Sequence, residues 1–192
     1  MKAYLNADLL DQAVKANARR ESSKIIFLVI DGVMHDYSTD DIVQEERVQI
    51  LKKIVEATGA ELILSSSWRL GYPEFLGENQ LTEYISDHES KSLADLKQML
   101  AKYDLEISGF TPYSLLGENG RPLEIRTFLL DRADVRSFVI LDDEAFNWQW
   151  LRQFWVQTKS PVGIHPDGSF QYRYGLEETH AEKAIRILNR FD

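Results

Sequence analysis

Lys24-Ile25-Ile26-Phe27-Leu28-Val29-Ile30, closed by Asp31-Gly32, is the stretch that decides the fold. An unbroken apolar run of this length, rich in β-branched residues and ended by turn formers, reads as a strand buried on both faces, as in a parallel sheet. Leu62-Ile63-Leu64 and Ser137-Phe138-Val139-Ile140-Leu141 repeat the pattern. Ile107–Phe110, closed by Thr111-Pro112, reads as a shorter strand, and Phe154–Thr158 as a further one. Between them lie helical spacings. Val48, Leu51, Ile54 and Val55 share a face within 43–58, with Gly59 as the stop. Leu93, Leu96, Leu100 and Tyr103 mark a second helix, and Pro122–Leu130 a third with proline in its first turn. Ala181, Ala184, Ile185 and Leu188 mark a closing helix over 177–191. Strands alternating with helices predict an α/β, Rossmann-like parallel sheet covered on both faces.

The bulk numbers agree with one globular domain. The chain has 192 residues, 44% hydrophobic and 28% charged, with no cysteine. Disulfides and thiolate-bound zinc are excluded, and a reducing, cytoplasmic setting is expected. No run approaches the roughly 18 apolar residues that span a bilayer, so no membrane partner is expected. A formal net charge of −9 argues against a general nucleic-acid binder, which needs clustered Lys and Arg. Leu5, Leu9, Leu10 and Val14 predict an amphipathic lead-in helix within 1–23, ahead of a single domain over 24–192. Asp40-Asp41 is expected to cap the helix that follows it, and Asp167-Gly168 to make a hairpin turn. Trp148, Trp150 and Trp155, with Phe146 and Phe154, are expected to pack against the sheet. His165 and His180 are expected on the surface or in loops.

In open parallel sheets, ligands bind beyond the carboxyl ends of the strands. That rule gathers Asp31, Ser65, Thr111, Asp142 and Asp143. Singly, each has an ordinary reading as a turn, a helix cap or a solvated loop pair. Together they are what a phosphate and a hard cation require. Mg²⁺ takes one or two carboxylates plus phosphate oxygens. Serine hydroxyls and backbone N–H groups at a helix start hold phosphate, and a cation downstream, Arg121, offsets charge on the transferring group.

The ordered segments FLVIDGVM, LILSSSWR, GRPLEI and VILDDE resemble the four motifs of the haloacid dehalogenase (HAD) superfamily. More narrowly, the EATGAE turn before LSSSWR at Glu56–Arg69, and VQT followed by YGLEETHAEKAIRIL, are similar to the capless phosphatase-like domain of Swiss Army Knife RNA repair proteins. The resemblance runs from about Lys24 to Leu188. It implies Asp31 as general acid/base and backbone ligand of Mg²⁺. It also implies Ser65 and Ser66 on the phosphoryl oxygens, Arg121 as the neutralising cation, and Asp142 with Asp143 completing the metal site. An uncapped site implies a phosphorylated substrate that is large, such as a protein or a nucleic-acid end, although the charge does not favour nucleic acid.

One position departs from that pattern. The family nucleophile is an aspartate two residues before the acid/base, and Val29 stands there. Valine can neither form the phosphoenzyme nor bind a metal. Two origins fit equally: an introduced substitution of a natural aspartate, or a natural pseudoenzyme. The expected function is therefore an impaired Mg²⁺-dependent phosphohydrolase, or a module that binds a phosphorylated partner without turnover. A third reading, an unrelated nucleotide-binding protein, wants a glycine-rich or Gly-Lys-Ser/Thr turn that Asp31-Gly32-Val33 does not supply.

Overall fold

A computed structural model describes residues 23–38, 43–72, 75, 87–113 and 120–192. The proposed lead-in helix and the Asp40-Asp41 cap lie outside the described residues, apart from Ser23, which opens the first strand.

The elements follow the order expected of alternating strands and helices. They are β1 (Ser23–Leu28), α1 (Glu45–Thr58), β2 (Glu61–Leu64), α2 (Asp87–Lys102), β3 (Ile107–Phe110) and α3 (Gly120–Leu130). Then come β4 (Val135–Asp142), β5 (Trp155–Gln157), β6 (Ser160–Ile164), β7 (Phe170–Arg173) and α4 (Glu178–Leu188). Two 3₁₀ turns, Ser67–Gly71 and Gln149–Phe154, were not legible as helices in the sequence. Helix α1 stops where expected, because Gly59 adopts φ 66° and returns its N–H to the Val55 carbonyl at 2.7 Å. Its N-cap is Gln44, whose side chain makes no capping bond.

β1 to β5 form one five-stranded sheet in the order β3-β2-β1-β4-β5, all parallel, and β6 pairs with β7 in a separate antiparallel hairpin. The continuous apolar run becomes the central strand for a simple reason. Only there are both faces dry. Ile26 and Leu28 point into a cluster with Val48, Leu51 and Ile54 of α1, Leu96 of α2 and Ala184 of α4. Ile25 and Phe27 point the other way, toward Ile125 of α3, Trp148 and Leu151. Each such fully buried side chain stabilises the fold by roughly 1.5–3 kcal/mol. The tryptophan cluster packs as expected: Trp148 is buried and its ring lies 5.7 Å from that of Trp155. Trp150 remains about half exposed.

The chain moves outward from β1 to β2 and β3, then crosses back over β1 to β4. The reversal leaves a crevice between the carboxyl ends of β1 and β4, where this topology binds ligands. Among the described residues no inserted cap domain covers it, and no helix is long and apolar enough to cross a membrane.

Candidate active site

The register places Val29 at the centre of the crevice. Leu28 pairs with Leu64 on β2 and with Leu141 on β4, and Leu64 pairs with Phe110 on β3. The ladder continues one residue further. The N–H of Thr111 donates to the Leu64 carbonyl at 3.1 Å, that of Ser65 to Leu28 at 2.8 Å, and that of Val29 to Leu141 at 3.2 Å. Register partners in a parallel sheet project from the same face. Thr111, Ser65, Val29 and Asp142 therefore form one row across the carboxyl edge, all of them buried. The Thr111 hydroxyl lies 3.4 Å from that of Ser65, as such a row requires. Residue 29 stands between the serine and the aspartate.

Arg121 comes to the row from the first turn of α3. Its Nη1 donates to Asp142 Oδ2 at 2.8 Å, and its guanidinium lies over the Phe146 ring. Asp142 also accepts from the Glu144 N–H at 2.9 Å. Burial pushes the Asp142 carboxyl up, against the pull of Arg121 and these bonds.

Asp31 and Asp143 flank the row. Asp31 Oδ2 accepts a 2.9 Å bond from Trp68 Nε1, so the loop after β1 is held by the loop after β2. This explains a tryptophan after the serines, a role that spacing alone did not reveal. Ser66 caps the 3₁₀ turn, its hydroxyl accepting from the Trp68 N–H at 3.4 Å. Gly32, at φ 70°, lies flat against Asp143, where a Cβ would come 2.3 Å from the carboxyl carbon. Only glycine fits that approach. The Gly32 carbonyl accepts from Thr158 Oγ1 at 2.7 Å and from the Gly175 N–H at 3.0 Å.

The acidic donors are hard oxygens suited to Mg²⁺. Among the described residues, however, no three Asp, Glu or His side chains are grouped closely enough to hold a metal. One oxygen of Asp31 is taken by Trp68 and one of Asp142 by Arg121. Adjacent Asp142 and Asp143 remain, and the strand position beside them that could add a carboxylate holds Val29.

Asp143 carries the mark of an unbalanced charge. Burial first, then Asp142 and Glu144, push it up from 3.8 to about 6. A carboxyl that holds its proton more tightly folded than unfolded favours folding at low pH. That advantage is lost as pH rises from about 4 through about 6. Asp143→Asn is therefore expected to raise Tm at pH 7 and to match the parent at pH 4. Each 1 kcal/mol is worth roughly 2–4 °C at this chain length. Equal melting at both pH values would contradict this electrostatic account.

Three residues carry interactions that sequence reasoning did not assign. Asp36, just past the first loop, bonds Arg47 Nη2 at 3.1 Å, and Arg47 Nη1 donates to the Leu176 carbonyl at 2.8 Å. Burial would raise Asp36, but bonds from Ser38, Gln44 and Arg47 outweigh it and hold the carboxyl well below its usual range. Arg69 is buried and paired to Glu124 at 2.8 Å. His180, expected on the surface or in a loop, lies in the first turn of α4. Its Nδ1 accepts from the Glu177 N–H at 3.1 Å in a capping box, and burial lowers its pKa.

No curated protein and no solved structure matches the chain. A family model described as the HAD domain in Swiss Army Knife RNA repair proteins matches residues 25–167, from the first buried residues of β1 to the hairpin turn. With a parallel sheet of the right order and the motif-bearing strand ends gathered at one edge, the chain belongs to this HAD family.

Proposed function

We propose that the chain is a phosphomonoesterase scaffold of the HAD type in which the nucleophile position is filled by Val29. The observation that carries this reading is the buried row Ser65–Val29–Asp142 with Arg121 paired to its acidic end. In this reading Ser65 and Ser66 hold phosphoryl oxygens, Arg121 balances their charge, and Asp31 delivers a proton to the leaving oxygen. Trp68 fixes the Asp31 carboxylate for that task. Asp142, Asp143 and the Asp31 carbonyl are the groups that would hold Mg²⁺, which when bound neutralises the phosphoryl group and orients the ester. A cation there would relieve the raised pKa values of both aspartates.

Hydrolysis by this chain is impaired, because no carboxylate stands where the phosphoenzyme forms. A second reading follows from the same residue: a binder that retains a phosphate cradle without turnover, since Val29 is only 3% exposed and bonded into the ladder as a core residue. The open crevice and the family's place in RNA repair proteins support a macromolecular phosphate, with a nucleic-acid end as the leading candidate. The cysteine-free composition supports work in a reducing cytoplasm.

The test is an aryl-phosphate assay in Mg²⁺ on this chain beside Val29→Asp, with inorganic phosphate binding followed by calorimetry. Phosphate should bind the chain as it stands. Arg121→Gln should weaken that binding about 10- to 100-fold, since a charge-assisted bond is worth about 1.5–3 kcal/mol. Phosphate binding unaffected by Arg121→Gln would overturn the cradle. Phosphate retained with no turnover in Val29→Asp would favour the binder.

A further inference from the structure

We propose that Tyr37, Tyr174, Tyr172 and Phe170 form a stacking rail for the unpaired bases of a single-stranded polynucleotide whose phosphorylated end enters the crevice. This rests on the phosphate reading above and adds which residues hold the rest of the substrate.

The rail begins in the loop after β1, where the backbone of His35 bridges to Asp31 and the Tyr37 ring lies 4.8 Å from that of His35. Its backbone is left-handed, φ 63°, which a bulky side chain rarely adopts, and the ring is 54% exposed. From Tyr37 the rings continue in sequence. Tyr174 is edge-on at 5.2 Å, Tyr172 lies 6.4 Å from Tyr174, and Phe170 lies 6.2 Å from Tyr172. Phe170, Tyr172 and Tyr174 alternate along the chain, so one face of β7 and its continuation carries all three. Two residues of strand rise about 6.7 Å, close to the ring spacing. Phe170 and Tyr172 remain 59% and 40% exposed. A soluble chain rarely leaves such a row uncovered without use.

The charge pattern selects the occupant. Lys159 lies over the rings of Tyr172 and Tyr174 at 4.6 and 5.2 Å, and also within 3.9 Å of Glu144. Arg173 pairs with Glu177 at 3.3 Å. A phosphopeptide site is built on a cluster of arginines, and the hairpin has no such cluster. A duplex offers its backbone, not its base faces, and would need many free cations. Exposed rings in series with two partly neutralised cations suit a single strand, whose bases present both faces to aromatic side chains. The rings, not the charges, then supply the affinity, which reconciles a net charge of −9 with a nucleic-acid substrate.

The experiment measures anisotropy of a dye-labelled eight-nucleotide RNA carrying a terminal phosphate, bound to the full chain. Its abasic form, its blunt duplex and its hydroxyl-ended form serve as comparisons. The single strand should bind most tightly. Phe170→Leu and Tyr172→Leu should each weaken it roughly 5- to 100-fold, as expected for one base–aromatic stack. The slope of log affinity against log salt should be shallow, about −1.4 for two neutralised phosphates. Equal binding by the leucine variants, by the abasic strand or by the duplex would overturn the rail. So would self-association through the hairpin without strand binding. Hydroxyl-ended RNA binding as tightly as phosphate-ended RNA, with the leucine variants still weakened, would keep the rail and overturn the phosphate site.

Discussion

Val29→Asp is expected to raise Mg²⁺-dependent hydrolysis of an aryl phosphate by several orders of magnitude over the chain as it stands. Removing the nucleophile of a serine protease lowers kcat on the order of 10⁶-fold, which sets the scale. The register gives the reason. Neighbouring strands lie about 4.8 Å apart, so a carboxylate at 29 would stand one strand from Asp142 and one from Ser65. A phosphoryl group held by the serine and Arg121 would then meet it directly. The same placement has a thermodynamic signature. A second buried carboxylate beside Asp142 repels it, and Arg121 offsets only one of the two. The variant should therefore melt below the parent in chelator and recover when Mg²⁺ is added, whereas the parent should respond weakly. Activity restored together with Mg²⁺-dependent melting identifies the row as catalytic. Equal, negligible turnover in both proteins, with melting indifferent to Mg²⁺, would remove hydrolysis from the reading.

Arg69→Ala is expected to cost about 3–5 kcal/mol, the usual penalty for breaking a buried ion pair from one side. At this chain length that is a fall in Tm of roughly 6–20 °C. Arg69 is 2% exposed and ties three parts of the site together. It bonds Glu124 at 2.8 Å, the Ser66 carbonyl at 2.6 Å and the Pro112 carbonyl at 3.5 Å. Its guanidinium also lies over the rings of Phe75 and Tyr113. Glu124 is one helical turn beyond Arg121, so the pair also sets the N-terminal end of α3 against the loop after β2. Burial pulls the Arg69 pKa down and Glu124 pulls it back, the ordinary tension of a desolvated pair. Arg69→Lys should not rescue the loss, because an ammonium lacks the planar fork that reaches several oxygens at once. Replacing both partners, as Arg69→Met with Glu124→Leu, should recover part of it by leaving no charge unpaired. Urea denaturation gives the comparison, and an Arg69→Ala protein within 1 kcal/mol of the parent would refute the role assigned to the pair.

The fold was legible where residues answer to burial alone. Ile25–Ile30 announced a central strand because both faces are dry, and Gly59 announced a helix end because its backbone needs a left-handed turn. The site residues were legible as strand ends, because the topology sends ligands there. What escaped was set by register and by distant partners. That Val29 lies between Ser65 and Asp142 depends on how three strands align, which no single segment encodes. Arg69 stood in the LSSSWR motif, but its burial gave no signal, since arginine is almost never fully buried and only Glu124, far along the chain, makes it so. The turn at Asp167-Gly168 was visible, but the flanking β6 and β7 were not, because both are largely exposed and carry no core-facing alternation. Tyr174, which meets Tyr37, comes from the far end of the sequence, so no local pattern showed the pair.

The order β3-β2-β1-β4-β5 also has a consequence for synthesis. The most apolar strand leaves the ribosome well before one of its two neighbours, β4, which begins only at Val135. At translation speeds of about 5–20 residues per second, Ile25–Ile30 waits roughly 5–20 s with its β4 edge unpaired and its last covering helix, α4, unmade. Through that interval the nascent chain is a sticky ribbon. Cellular holding factors that shield such ribbons are therefore expected to raise the yield of this protein.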